Sequence, residues 1–210
     1  MDLGYSLISR TKIEYIKQVQ RGPLPIREVH MSVINEAVQA NKEYAASFNL
    51  GYLAMPPARK LAVVACMDAR LTVEKALGLK TGDAHIIRNA GGIVTEDVIR
   101  SLIISHHLLG TLEFMVINHT DCGMLTFHDE ELHQRLYLET GTAMFAPVTF
   151  YSFTNVVKNV QIQVQRIRSH PWIPKQIPVS GFVYDVKTGR LNEVPETQVN
   201  EAQLYEMSQK

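Results

Sequence analysis

Two cysteines stand alone in this 210-residue chain, Cys66 and Cys122, and the second closes a short His119-Thr120-Asp121-Cys122 run. Two thiolates and an imidazole suit Zn²⁺, and three protein ligands with an open fourth position characterise a catalytic zinc site rather than a structural one. A structural site would want a further Cys or His, and no third cysteine exists. Beside the first thiol, Cys66-Met67-Asp68-Ala69-Arg70 places a carboxylate and a guanidinium on one turn. Plainer roles compete. Buried cysteine is a common core residue, a histidine after a strand is more often only hydrogen-bonded, and an Asp–Arg pair at a surface contributes little.

These residues need elements to bring them together. Val33, Ala37, Ala40, Tyr44 and Phe48 step by four or three, the spacing of one helix face, in a helix expected from Val29 to near Asn49 and Gly51. Residues 61–65 form a continuous apolar run of the kind buried in a parallel sheet, and residues 84–88, 112–118 and 179–184 read as further strands. Residues 190–194 return after Lys187-Thr188-Gly189 as an edge hairpin strand. Helices are expected over 95–109, closed by Gly110, and along Val156, Val160, Val164 and Ile167. Alternation of strands and helical crossovers defines an α/β fold with a mainly parallel central sheet, an antiparallel edge strand and helices on both faces. If the first and third strands are neighbours, their carboxyl ends lie about 5 Å apart at the topological switch point, where Cys66 meets His119 and Cys122. The helix over 95–109 is apolar on nearly every side, so a second cover is expected, either another helix of the chain or a second subunit.

The chain divides by composition into an N-terminal extension (1–25) ending in Arg21-Gly22-Pro23-Leu24-Pro25, a catalytic domain (26–195) and a C-terminal tail (196–210). Its 21 basic residues balance 21 acidic ones, leaving no global field to recruit nucleic acid or an anionic membrane. No apolar run approaches the roughly 20 residues of a membrane span. The N-terminus lacks the basic start and apolar run of a secretory signal, and a cytoplasmic location is expected. No glycine-rich phosphate loop follows a strand, which sets aside nucleotide binding. Gly91 and Gly92 permit a tight turn after the second strand, and their loop is a candidate substrate contact at the same sheet edge. His106, His107, His128 and His133 have little to recommend them as proton shuttles.

The pair Cys66-Met67-Asp68-Ala69-Arg70 and His119-Thr120-Asp121-Cys122-Gly123 resembles the C-x-D-x-R and H-x-x-C motifs of the β-carbonic anhydrases. His85 to Gly92 and Gly181-Phe182-Val183-Tyr184-Asp185 are similar as well, so the likeness runs from about residue 41 to 194. It falls in the compact branch that includes carbonyl sulfide and carbon disulfide hydrolases, although Ala69 stands where many members have Ser, and Met124 where they have a small residue. The resemblance implies Zn²⁺ on Cys66, His119 and Cys122, a catalytic Asp68–Arg70 dyad, and a homodimer or homotetramer with active sites near the subunit interface. It implies that zinc-bound hydroxide hydrolyses carbonyl sulfide to carbon dioxide and hydrogen sulfide, or hydrates carbon dioxide to bicarbonate, the partners being that small molecule and water. It also implies a switch in which Asp68, released by Arg70, fills the fourth zinc position. A non-catalytic zinc or redox protein would use the same ligands for structure alone.

Overall fold

The structure, a computed structural model, describes residues 32–142 and 149–196. The expected extension over 1–25, the tail beyond Glu196 and the expected helix start at Val29 lie outside the described residues. Two compact units divide the chain, Met1–Leu53 and Ala54–Lys210.

In the first unit, helix α1 (Val33–Ala46) begins where Ser32 caps it, the Ser32 hydroxyl accepting the Asn35 N–H at 3.3 Å. Its apolar side chains Val33, Ile34, Val38 and Tyr44 are exposed.

The second unit is built on a sheet of order β2-β1-β3-β4-β5. Strands β1 (Leu61–Cys66), β2 (Ala84–Asn89), β3 (Glu113–His119) and β4 (Val179–Tyr184) are parallel, and β5 (Leu191–Val194) pairs antiparallel with β4 at the edge. β1 is flanked by strands on both sides and covered on both faces, which is why its sequence runs apolar without alternation. One face packs Ala62, Val64, Phe114 and Val116 against helices α3 (Glu96–His107) and α5 (Val156–Ser169). On the other face, Val63, Ala65 and Ile117 pack against Leu71 and the short helix α2 (Val73–Leu77). Gly181 lets α5 come close to β4, because a side chain there would collide with Val160 and Val164.

The expected helix over 95–109 is shorter than its pattern, since Thr95 is the cap, its hydroxyl accepting the Val98 N–H. The chain itself covers one side of it, where Val98, Ile99 and Leu102 are buried and Ile103 packs beside them, while Ile104 and Leu108 stay 37% and 75% exposed. Helices α2 and α4 (Asp129–Thr140) had no apolar stripe to announce them, and α4 buries no residue at all. Among the described residues no helix is long and apolar enough to cross a membrane.

Candidate metal centre

The register places the chemistry at one edge of the sheet. Cys66 ends β1 opposite Asn89 of β2, while His119 ends β3, next to β1. Cys122 follows after a turn in which Asp121 takes a left-handed φ of 56°. As a result one ligand atom each from Cys66, His119 and Cys122 lies within 4.8 Å of the others, all three residues buried.

His119 shows what this cluster accommodates. Its Nδ1 lies 2.8 Å from the Thr120 carbonyl oxygen, which can only accept, so Nδ1 carries the proton and Nε2 presents a bare lone pair. Nε2 is buried without a hydrogen-bond partner among the described residues. A buried polar atom left this way is costly unless something binds it. A lone pair converging with two sulfurs fits a tetrahedral zinc ion with a fourth position free.

The electrostatics agree with that fit. The adjacent Cys122 thiol, against the upward push of burial, holds Cys66 well below the ordinary thiol range, and Cys122 in turn is pushed far up. Burial pulls His119 down, but the neighbouring Cys66 sulfur and the Thr120 carbonyl outweigh that and raise it. Negative charge therefore collects on sulfur inside a desolvated pocket, an arrangement that attracts a cation.

Asp68 stands beside this cluster, its Oδ2 3.6 Å from His119 Nε2. Arg70 grips it as a fork, Nε donating to Oδ1 at 3.0 Å and Nη2 to Oδ2 at 2.7 Å. Those hydrogen bonds hold the Asp68 carboxyl at about 2 against its partial desolvation, so it is ionised throughout the neutral range. Two residues that sequence reasoning passed over complete the clamp. Asp121 accepts from Arg70 Nη1 at 2.9 Å through its carboxylate and from Nη2 at 2.9 Å through its carbonyl. Arg88 donates to the carbonyls of Cys66 at 2.9 Å and Asp68 at 2.7 Å. Both stood inside the quoted motifs, but nothing in their spacing says which carbonyl or carboxylate they reach.

Gly91 and Gly92 are buried beside the cluster rather than open to solvent. A side chain on Gly92 would meet Asn118 Nδ2 at 2.7 Å and the Cys66 backbone nitrogen at 3.0 Å, and its φ of 61° is left-handed. Two of the histidines, His106 and His107, are elsewhere. His106 and His107, at the end of α3, contact the Thr111 and Trp172 carbonyls, toward the start of β3 and so about 20 Å of strand away from the ligand edge.

An apolar wall closes on the ligands: Met124 is buried with Cys66 and Cys122, and Leu125, Phe127 and Phe153 pack against them. Phe153 is delivered by a segment latched to α4. The Asp129 carboxylate accepts backbone N–H groups from Phe150 (2.7 Å), Tyr151 (3.1 Å) and Ser152 (2.9 Å), and Tyr151 adopts a left-handed φ of 61°. Burial pushes the Asp129 carboxyl up, but these bonds outweigh it and lower its pKa. Asp129→Ala is expected to lose about 1–3 kcal/mol of stability, toward the lower end because the carboxylate keeps solvent contact. A lowered native pKa contributes stability above the unfolded value of about 3.9, lost as pH falls through the native value. Urea denaturation should thus find wild type and variant far apart at neutral pH and converging in acid; a gap independent of pH would contradict the latch.

The fold and site together define an α/β enzyme with a thiolate–imidazole metal centre at the switch point of its sheet. A family model described as carbonic anhydrase matches residues 61–191. "Beta-carbonic anhydrase 1" of Mycobacterium tuberculosis is 48% identical over 165 residues, covering 78% of this chain and 99% of the relative. "Carbon disulfide hydrolase" of Acidianus sp. is 36% identical over 175 residues, 72% of this chain and 85% of that protein. Among solved structures, the carbonic anhydrase of Streptococcus mutans superposes with a TM-score of 0.75 at 42% identity, covering 80% of this chain and all (100%) of that one. The chain belongs to the β-carbonic anhydrase family and is a zinc metalloenzyme.

Proposed function

We propose that this enzyme adds water to the central carbon of a linear heterocumulene, accepting both carbonyl sulfide and carbon dioxide, with zinc on Cys66, His119 and Cys122. The observation that carries the reading is the unpartnered His119 Nε2 converging with two sulfurs beside an Arg70-clamped carboxylate. Zinc in that position supplies the Lewis acidity that makes water nucleophilic at neutral pH. Asp68 accepts the proton of the attacking water and so turns its lone pair toward the substrate carbon, while Arg70 and Asp121 prevent the carboxylate from swinging away. Met124, Leu125, Phe127 and Phe153 exclude bulk water and offer contact to a substrate without a charge or a strong acceptor. Gly91 and Gly92 bring backbone against the ligand edge, where it borders the substrate.

Carbon dioxide is supported by the 48% identity to a β-carbonic anhydrase along almost the whole of that relative. Carbonyl sulfide is supported by the apolar wall, since sulfur is larger and a poorer acceptor than oxygen and gains more from apolar contact. Self-association into a homodimer or homotetramer belongs to the same reading, supported by the exposed apolar Leu108 and Ile104 of α3. Stopped-flow hydration of carbon dioxide and sulfide release from carbonyl sulfide, on one zinc-loaded preparation, test it. Both are expected above the uncatalysed rate, and Phe153→Ala should lower kcat/KM for carbonyl sulfide more than for carbon dioxide, by about 10-fold relative to it. Absence of both activities would leave a zinc-binding scaffold.

A further inference from the structure

Each backbone N–H from Phe150 to Phe153 has a fixed acceptor, and three of the four share one side chain. Asp129 Oδ2 accepts from Phe150 at 2.7 Å and from Tyr151 at 3.1 Å, and Oδ1 accepts from Ser152 at 2.9 Å. The fourth, Phe153, donates to the Met124 carbonyl at 3.2 Å. Met124 sits in the short 3₁₀ turn Gly123–Leu125, whose Leu125 N–H returns to the Cys122 carbonyl at 3.0 Å. Consecutive links therefore run from the first residue of α4, along 150–153, to the turn that begins beside Cys122.

Helix α4 does not need Asp129 for its own start. Glu130 and Glu131 also lie in its first turn, and Glu131 accepts the His128 N–H at 3.3 Å, so charge and cap are supplied without it. What the Asp129 carboxylate does is hold a strap 21 to 23 residues away in a shape the strap resists. Tyr151 lies at a left-handed φ of 61°, which a residue with a Cβ disfavours, and successive N–H groups that converge on one anion need a turn of this kind. The strap ends in Phe153, whose side chain packs against the cluster of Cys66, Cys122 and Met124.

We propose that Asp129 is a positioning residue for substrate selectivity: by shaping 150–152 it sets where the Phe153 ring stands against the ligand cluster, and so how well the enzyme takes carbonyl sulfide relative to carbon dioxide. Carbonyl sulfide is the substrate that responds, because sulfur gains more than oxygen from apolar contact. This deepens the proposed function and rests on its assignment of Phe153 to the substrate wall.

The test compares zinc-loaded wild type, Asp129→Asn, Phe153→Ala and the double variant by kcat and KM for both substrates, together with amide hydrogen exchange at 150–153 by NMR without substrate. Asparagine keeps the size of the side chain and one acceptor but turns an NH₂ toward backbone N–H groups; Asp129 is only partly buried, so the variant is expected to fold. Exchange should speed up at Phe150, Tyr151 and Ser152, and also at Phe153, whose own acceptor on Met124 is untouched. Selectivity for carbonyl sulfide should fall about 3- to 10-fold through KM, since a wall contact is made alike in ground and transition states. In the Phe153→Ala background the same substitution should change selectivity no further, because the ring it positions is gone. Arg135→Ala, which breaks the exposed Arg135–Glu139 pair on α4, is the control and should leave both selectivity and exchange at Phe153 unaltered. Unchanged selectivity in Asp129→Asn, unmoved exchange at Phe153, or an equal further loss in the Phe153→Ala background would overturn the positioning role and leave the wall assignment standing. Unchanged selectivity in Phe153→Ala, or no carbonyl sulfide turnover by wild type, would instead overturn the wall assignment, and this proposal with it.

Discussion

Cys122→Ser is expected to lose zinc and turnover together, the rate falling to the uncatalysed background. Cys122 is 3% exposed and its sulfur lies in the 4.8 Å cluster with Cys66 and His119, so a serine there has no freedom to withdraw and no solvent to replace it. A neutral hydroxyl is a hard, weak donor where the ion is held by soft thiolate, and losing one of three ligands leaves too little to retain it. The variant also removes the neighbouring thiol that holds Cys66 below the ordinary range, so the remaining sulfur loses the group that favours its anionic form. Zinc content by elemental analysis, with X-ray absorption of the wild type showing two sulfurs and one nitrogen from protein, checks the assignment. A variant that keeps a full equivalent of zinc would remove Cys122 from the site.

Asp68→Asn and Arg70→Ala are expected to do the reverse, keeping zinc while turnover falls about 100- to 1,000-fold, the usual loss for one preorganised electrostatic or proton-accepting group. An asparagine can give Arg70 only one acceptor in place of the two that accept at 3.0 and 2.7 Å, and its NH₂ would donate toward the attacking water rather than accept from it. Without Arg70, Asp68 is released from the bonds that hold it at about 2, and its Oδ2, already 3.6 Å from His119 Nε2, is free to turn into the open ligand position. Asp121 loses its partner at the same time. Because clamp and carboxylate act as one unit, the double variant should be no slower than the worse single one. Turnover and zinc content of the three proteins decide it: near-normal turnover in Asp68→Asn would show that water is oriented by something else, and multiplicative losses in the double variant would show that Arg70 acts independently. In wild type, Asp68 stays ionised down to about pH 2, so the acid limb of a pH–rate profile should not belong to it.

The donor set was legible in the chain, since only two cysteines exist and each stands in a short motif after an apolar run. So were the parallel strands, because burial on both faces writes itself as unbroken Leu61 to Cys66, and the existence of α3, although its caps fall at Thr95 and Leu108, inside the 95–109 that its pattern gave. Local chemistry of this kind is carried by residue type and spacing. What the tertiary structure alone decided is which distant groups meet. Arg88 reaching two carbonyls, Asp121 sharing Arg70, Asp129 latching the segment that carries Phe153, and Gln163 of α5 accepting from the Val94 N–H are links across 20 to 69 residues. A buried Asn or Gln looks the same in sequence whether it faces solvent or another amide, because hydrogen-bond direction depends on the partner and not on the residue. Only the packing of α5 against β3 and β4 supplied those partners, and with them the surroundings in which two thiols and an imidazole become a metal centre.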